Sequence, residues 1–174
     1  MNTPVFSDSF KLPRKFRASG IHAGIKADPL KKDMALLVSD VKDTVAAGMF
    51  TTNKIQAAPV RMDIDRLKKG TARAVIINSG NANACTGKQG EADALEMGER
   101  TAERLDLSDV DVLVSSTGSI GKPMKMDPIR RGIDTLVDTL SAEGAEDASS
   151  AILTTDTRAK RCSTVVTIDG VDIT

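Results

Sequence analysis

Two short apolar runs, each passing directly into a polar string, constrain this chain more than any other feature. Ala74-Val75-Ile76-Ile77 leads into Asn78-Ser79-Gly80-Asn81-Ala82-Asn83-Ala84-Cys85-Thr86-Gly87. Val112-Leu113-Val114 leads into Ser115-Ser116-Thr117-Gly118-Ser119-Ile120-Gly121. Each apolar run reads as a buried strand. Residues 77–87 carry three Asn, two Gly, a Ser and a Thr. Asn and Gly tolerate positive φ, and short polar side chains bond nearby backbone. Strands that end in such strings can offer N–H groups and hydroxyls to a small ligand, so the expectation is an α/β fold with a site at the strand ends.

Other periodic segments fill in that fold. Met34 to Ser39 reads as a strand, with Ala46 to Thr52 as its hairpin or sheet neighbour. Ala57 to Met62 reads as a short strand beginning at Pro59, and Asp63 to Lys69 as a short helix stopped by Gly70. Residues 88–105 place Ala94, Leu95, Gly98, Thr101, Ala102 and Leu105 on one helical face. Residues 127–140 do the same through Ile129, Ile133, Leu136, Val137 and Leu140, and residues 145–153 read as helical. Asp109 to Val114 is a strand. Ser163 to Ile168 alternates as a strand, and Asp169-Gly170 turns it into Val171-Asp172-Ile173. The two glycines of residues 16–26, Gly20 and Gly24, suit tight turns, and residues 1–14 read as a loose arm. At 174 residues this is a single domain. It stops on what reads as an unfinished hairpin strand, so the expectation is a fragment or a fold completed by a second chain.

Composition excludes several function classes. Lys plus Arg and Asp plus Glu are 24 each, and Trp and Tyr are absent. A neutral chain with four aromatic residues lacks the basic face and stacking platforms of a nucleic-acid binder. No run of about 18 apolar residues provides a membrane span. Two Cys make no disulfide framework, and the N-terminus has no signal-peptide core, which points to the cytoplasm. One histidine, His22, leaves no His-rich metal site and no His-based triad. Phosphate-cradling glycine motifs are missing.

Several residues admit two readings. Thr117-Gly118 can form an oxyanion hole, with a hydroxyl and a backbone N–H aimed at a developing alkoxide; a plain Ser/Thr turn is the commoner use of such a pair. Thr154-Thr155-Asp156-Thr157 can bind an amino-acid substrate or simply cap a helix. Asn78, Asn81 and Asn83 can line a pocket or hold their own loop. Cys85, among small residues, reads as a buried small hydrophobe, and His22 as structural.

Six ordered blocks carry a family resemblance: residues 16–26, Phe50-Thr51-Thr52-Asn53, Ala57-Ala58-Pro59-Val60, residues 78–87, Ser116 to Gly121, and Ile152 to Thr157. Together they resemble the ornithine acetyltransferases of arginine biosynthesis, from about residue 16 onward. The resemblance implies a layered α/β sandwich like that of self-processing β-peptidyl aminopeptidases, its core completed by a second (β) chain cut from the same precursor. The freed N-terminal Thr of that β chain takes acetyl from N-acetylornithine and passes it to glutamate in a ping-pong cycle, within an α2β2 assembly. An N-terminal Thr supplies its own amine as base, so neither His, cofactor nor metal is called for. Matched residue by residue, Thr117 and Gly118 correspond to the oxyanion hole and Thr154 to a substrate contact. The nucleophile and a nearby Lys have no counterpart, which makes this chain an α chain, inactive alone. Some members also take acetyl from acetyl-CoA; recycling is the main activity expected here. Two rivals compete with this reading: a self-processing aminopeptidase, which would hydrolyse, and an amino-acid-binding module.

Overall fold

The computed structural model describes residues 5–7, 10–156 and 158–174. A short strand, β1 (Val5–Ser7), is followed by β2 (Phe16–Ile21), β3 (Met34–Ser39), β4 (Ala74–Asn81) and β5 (Val112–Ser119), which form one sheet in the order β2-β3-β4-β5. β2 and β3 are antiparallel, as are β3 and β4; β4 and β5 run parallel. A parallel pair needs a crossover, and helix α2 supplies it. The helices are α1 (Ala58–Arg66), α2 (Gly87–Leu105), α3 (Met126–Asp138) and α4 (Ala145–Ala151). The chain closes with β6 (Ser163–Ile168) and β7 (Val171–Ile173), which join β1 in a second, three-stranded sheet. No helix among the described residues is long and apolar enough to cross a membrane.

The main sheet is layered between helices. Met34, Leu36, Val38, Ala74, Ile76, Val112 and Val114 point to one face, where they meet Met97 and Ala102 of α2 and Ile129, Ile133 and Leu136 of α3. Burying each large aliphatic side chain of α3 contributes about 1.5–3 kcal/mol. Arg100 with Asp134 (2.6 Å) and Arg130 with Glu96 (2.5 Å) pair α2 to α3 on the solvent side. The other face carries α4 against β2 and β3. That contact is close enough to require Gly20: a Cβ there would lie 2.1 Å from the Asp147 carbonyl oxygen. Gly20 is therefore a packing residue inside β2, not the turn residue expected; Gly24, at φ +97°, is the turn.

β5 ends the sheet order, and α1 covers it. The Asp63 Oδ1 accepts a hydrogen bond from the Val114 N–H (3.0 Å), and the Arg66 guanidinium donates to the Val112 carbonyl. Edge groups that would otherwise invite another strand are thereby partnered.

Further expectations need correcting. The strand expected from Asp109 begins only at Val112, after a helical turn over Asp109–Asp111. Residues 58–62 are helix, not strand, with Ala57 as the N-cap: Pro59 sits in the first turn of α1, where its missing N–H costs nothing. Residues 46–52 form no strand; an isolated bridge between Val45 and Thr71 is followed by exposed chain, and Met49 is wholly exposed. Within the stretch read as a loose arm, Val5–Ser7 pairs with Ser163–Val165; residues 1–4 and 8–9 lie outside the described residues. Finally, the polar strings are not loops from their first residue. β4 continues through Asn81 and β5 through Ser119, because each supplies the other's backbone partners from Asn78↔Ser116 to Asn81↔Ser119. The hairpin at Asp169-Gly170 matches expectation, both residues having positive φ.

Candidate active site

The parallel register sets the site. Ser79 pairs with Thr117 and Gly80 with Gly118 at the C-terminal ends of β4 and β5. Strand alternation puts Thr117 on the same face as Leu113 and Ser115, away from the α2–α3 core. Gly118 has φ +128°, and a Cβ there would lie 2.4 Å from the Gly80 carbonyl carbon. Only glycine fits such a backbone at such a distance. The ladder then continues through the loops: Ala82 N–H donates to Ser119 O (2.9 Å) and Gly121 N–H to Ala84 O (2.9 Å).

At these strand ends lies a cavity of about 780 Å³ that Thr117, Gly118 and Thr154 all line. Thr155 joins them, whereas the Asp156 carboxylate turns to Lys160 (2.7 Å), which holds its pKa below the ordinary value. Thr157 lies outside the described residues. The segment carrying Thr154 leaves α4 and is fixed beneath by the buried Ser79, whose hydroxyl donates to Ala151 O (2.5 Å).

Of the two readings of Asn78, Asn81 and Asn83, the structure shows side chains that hold their own loop. Asn78 Nδ2 donates to Asn81 O (2.7 Å), and Asn83 Nδ2 to Gly90 O (2.7 Å). Asn83 Oδ1 accepts from the Thr86 hydroxyl (2.5 Å), and Asn81 Nδ2 reaches Lys122 O (3.3 Å). All three Asn are buried. Cys85 is exposed with φ +57°, not the buried small hydrophobe expected: the loop lifts it to the surface in a left-handed conformation. His22 holds its own turn through Nδ1 to Lys31 O (2.9 Å).

The cavity also has a cationic wall that the polar strings do not announce. Lys26, Lys31 and Lys125 line it, together with Asp28. Burial lowers the Lys26 pKa below the usual lysine value, against the pull of Asp33. The backbone of this wall is built on Asp33, which is fully buried. Its carboxylate accepts from the N–H groups of Ala23 (2.6 Å), Ile25 (2.7 Å) and Lys26 (2.9 Å).

Chemically, Thr117 and Gly118 line a cavity that three lysines also line, and a hydroxyl with a neighbouring N–H is a pair that suits the stabilisation of negative charge on a carbonyl oxygen. Several known proteins resemble this chain in sequence and fold. The ArgJ family model matches residues 17–174. The arginine biosynthesis bifunctional protein ArgJ of Caldanaerobacter subterraneus subsp. tengcongensis is 47% identical over 170 residues, 98% of this chain and 41% of that protein. Its counterpart in Geobacter sulfurreducens is 48% identical over 159 residues, 91% of this chain and 40% of that protein. The chain thus spans about two fifths of the length of these curated relatives. Among solved structures, the ornithine acetyltransferase of Mycobacterium tuberculosis, complexed with ornithine, superposes with a TM-score of 0.86 at 39% identity, over 90% of this chain and 85% of that one. The arginine biosynthesis bifunctional protein ArgJ of Bacillus halodurans gives 0.86 at 36% identity, over 99% and 91%. The identities, the matched span and the shared fold agree that this chain belongs to the ArgJ family.

Proposed function

We propose that this chain is the α part of an acetyltransferase of arginine biosynthesis, moving acetyl from N-acetylornithine to glutamate. The observation that carries this reading is the convergence of Thr117, Gly118 and Thr154 on one cavity, in a family with an ornithine-bound member. The difference in coverage supports a two-chain enzyme: the chain matches about two fifths of the curated relatives but 85% of the solved chain. The β chain of the same precursor then brings the nucleophilic Thr, freed by self-cleavage, to the face where Thr117 points, in an α2β2 assembly in the cytoplasm.

The cycle is ping-pong. The Thr hydroxyl of the β chain adds to the acetyl carbonyl, its proton passing to the Thr amine. The carbonyl oxygen becomes an oxyanion that accepts hydrogen bonds from the Thr117 hydroxyl and the Gly118 N–H. Collapse breaks the C–N bond, and ornithine leaves with the proton. The glutamate amine then attacks the acetyl-Thr ester through the same oxyanion site, which regenerates the hydroxyl and releases acetylglutamate. Thr154 contacts the amino-acid portion of either substrate.

The test uses the full-length, self-cleaved protein with N-acetylornithine, with and without glutamate. Ornithine and acetylglutamate are expected to appear in equal amounts and to depend on glutamate. Ornithine release at an undiminished rate without glutamate, accompanied by acetate, would mark a hydrolase and overturn the assignment. Acetylglutamate formation from acetyl-CoA is expected to be slower than from N-acetylornithine.

A further inference from the structure

Thr154 lies on exposed chain just beyond α4, yet it must keep a fixed place in the cavity it shares with Thr117 and Gly118 if it is to contact substrate. Lys26 supplies the tie. Its ammonium donates to Leu153 O (2.6 Å), the carbonyl directly before Thr154, and to Lys32 O (2.7 Å). Hydrogen bonds from an ionised donor are roughly twice as strong as neutral ones. The bond to Leu153 joins residues 127 apart in sequence.

The geometry shows why a lysine stem runs here. Its starting point is held twice: the Lys26 N–H is bonded to Asp33 Oδ2 (2.9 Å), and the preceding Ile25 carbonyl accepts from Lys125 Nζ (2.7 Å). From there the stem crosses the strand end directly over Gly80. A Cβ on Gly80 would lie 2.9 Å from Lys26 Cγ and 3.8 Å from Cε. Gly80 in turn abuts Gly118. The lysine stem therefore lies against Gly80, whose partner in the sheet is Gly118, and the ammonium ends at Leu153.

We propose that Lys26 is a positioning residue: by holding the Leu153 carbonyl it fixes Thr154 in the cavity that Gly80 and Gly118 also line. This rests on the role given above to Thr117, Gly118 and Thr154. Lys26 acts through Leu153 and needs no contact with the reacting atoms. Its loss should weaken substrate binding more than it slows the chemical step.

The test compares Lys26→Met, which keeps the stem and removes the donors, with Lys26→Arg, which keeps donors on a similar stem, in the full-length, self-cleaved protein. Two quantities are read: amide hydrogen exchange over residues 152–156, and kcat and KM for N-acetylornithine. Lys26→Met is expected to speed exchange in that segment about tenfold and to raise KM about tenfold with kcat within about threefold of wild type, the pattern of lost ground-state binding. Lys26→Arg should recover most of both. Unchanged exchange in Lys26→Met overturns the proposal, and so does faster exchange with unchanged KM. Should Lys26→Met not fold, Lys26→Gln, whose shorter side chain stops short of Leu153, is held to the same outcomes. The exchange measurement needs no activity. If the wild-type protein transfers no acetyl but Lys26→Met still loosens residues 152–156, the tie stands and the acetyltransferase assignment falls.

Discussion

Gly80 and Gly118 face each other across the parallel β4–β5 pair so closely that a Cβ on Gly118 would lie 2.6 Å from the Asn81 nitrogen as well as 2.4 Å from the Gly80 carbonyl carbon. Gly118→Ala therefore meets rigid backbone and an unfavourable φ together. It is expected to lower kcat at least about 100-fold and to cost about 1–3 kcal/mol of stability. Gly70→Ala provides the contrast. Gly70 also has positive φ (+74°), but open space surrounds its missing Cβ. It should cost about 1 kcal/mol and leave kcat unchanged. Thermal unfolding and steady-state kinetics on the full-length protein check both.

Thr117→Ala removes one proposed oxyanion donor at an exposed strand end. The expectation is a fall in kcat of about 100-fold or more, a smaller change in KM, and little change in Tm. Thr117→Ser keeps the hydroxyl and should retain most of the activity. Cleavage of the precursor is checked first on a denaturing gel. Near-normal kcat in a cleaved, folded Thr117→Ala enzyme would reduce Thr117 to a strand residue.

Asp63 gives a pH signature. Burial pushes its pKa from 3.8 up to about 6, ahead of the opposing effects of the Val114 N–H and Arg66. A carboxyl with a raised folded-state pKa favours folding when protonated. Its contribution is complete below about pH 4 and lost by about pH 6 to 7, and amounts to at most about 3 kcal/mol. Asp63→Asn keeps an oxygen for the Val114 N–H and does not titrate. The stability of wild type relative to Asp63→Asn should therefore fall as pH rises from about 4 to 7. Urea midpoints at several pH values measure this, and a constant difference would refute it.

Ser79→Ala deletes the buried hydroxyl that reaches Ala151 O. It leaves a carbonyl without that donor and should lower stability by about 1–2 kcal/mol, read as a lower Tm.

What was legible in the sequence follows from range. β3, α2, α3 and the 163–173 hairpin were readable because their periodicity or turn chemistry is local. The second half of α1 was read as helix, but its first half was misread because Pro59 suits a strand start and a first helical turn equally well, and the Asp63 and Arg66 contacts that hold the helix come from β5, about 50 residues on. The apolar residues Val45 and Met49 resemble a strand in composition, but neither is covered, and composition cannot show coverage. Thr117, Gly118 and Thr154 stood out as polar residues after apolar runs. Lys26 and Lys125 did not, because a lysine that binds distant carbonyls looks in sequence like any solvated charge.

The β4–β5 pairing is also a ruler. Eight consecutive pairs, from Ala74↔Val112 to Asn81↔Ser119, carry the register from the apolar core out to the cavity without a bulge. One residue added near Val75 would translate Ser79 and Gly80 by roughly 3.3 Å relative to Thr117 and Gly118, and would turn every later side chain of β4 to the opposite face. Gly80 would no longer lie opposite Gly118, and a side chain would take its place there. Point substitutions in the strand interior change packing, whereas a single insertion or deletion there would dismantle the site some 15 Å away while leaving every one of its residues present.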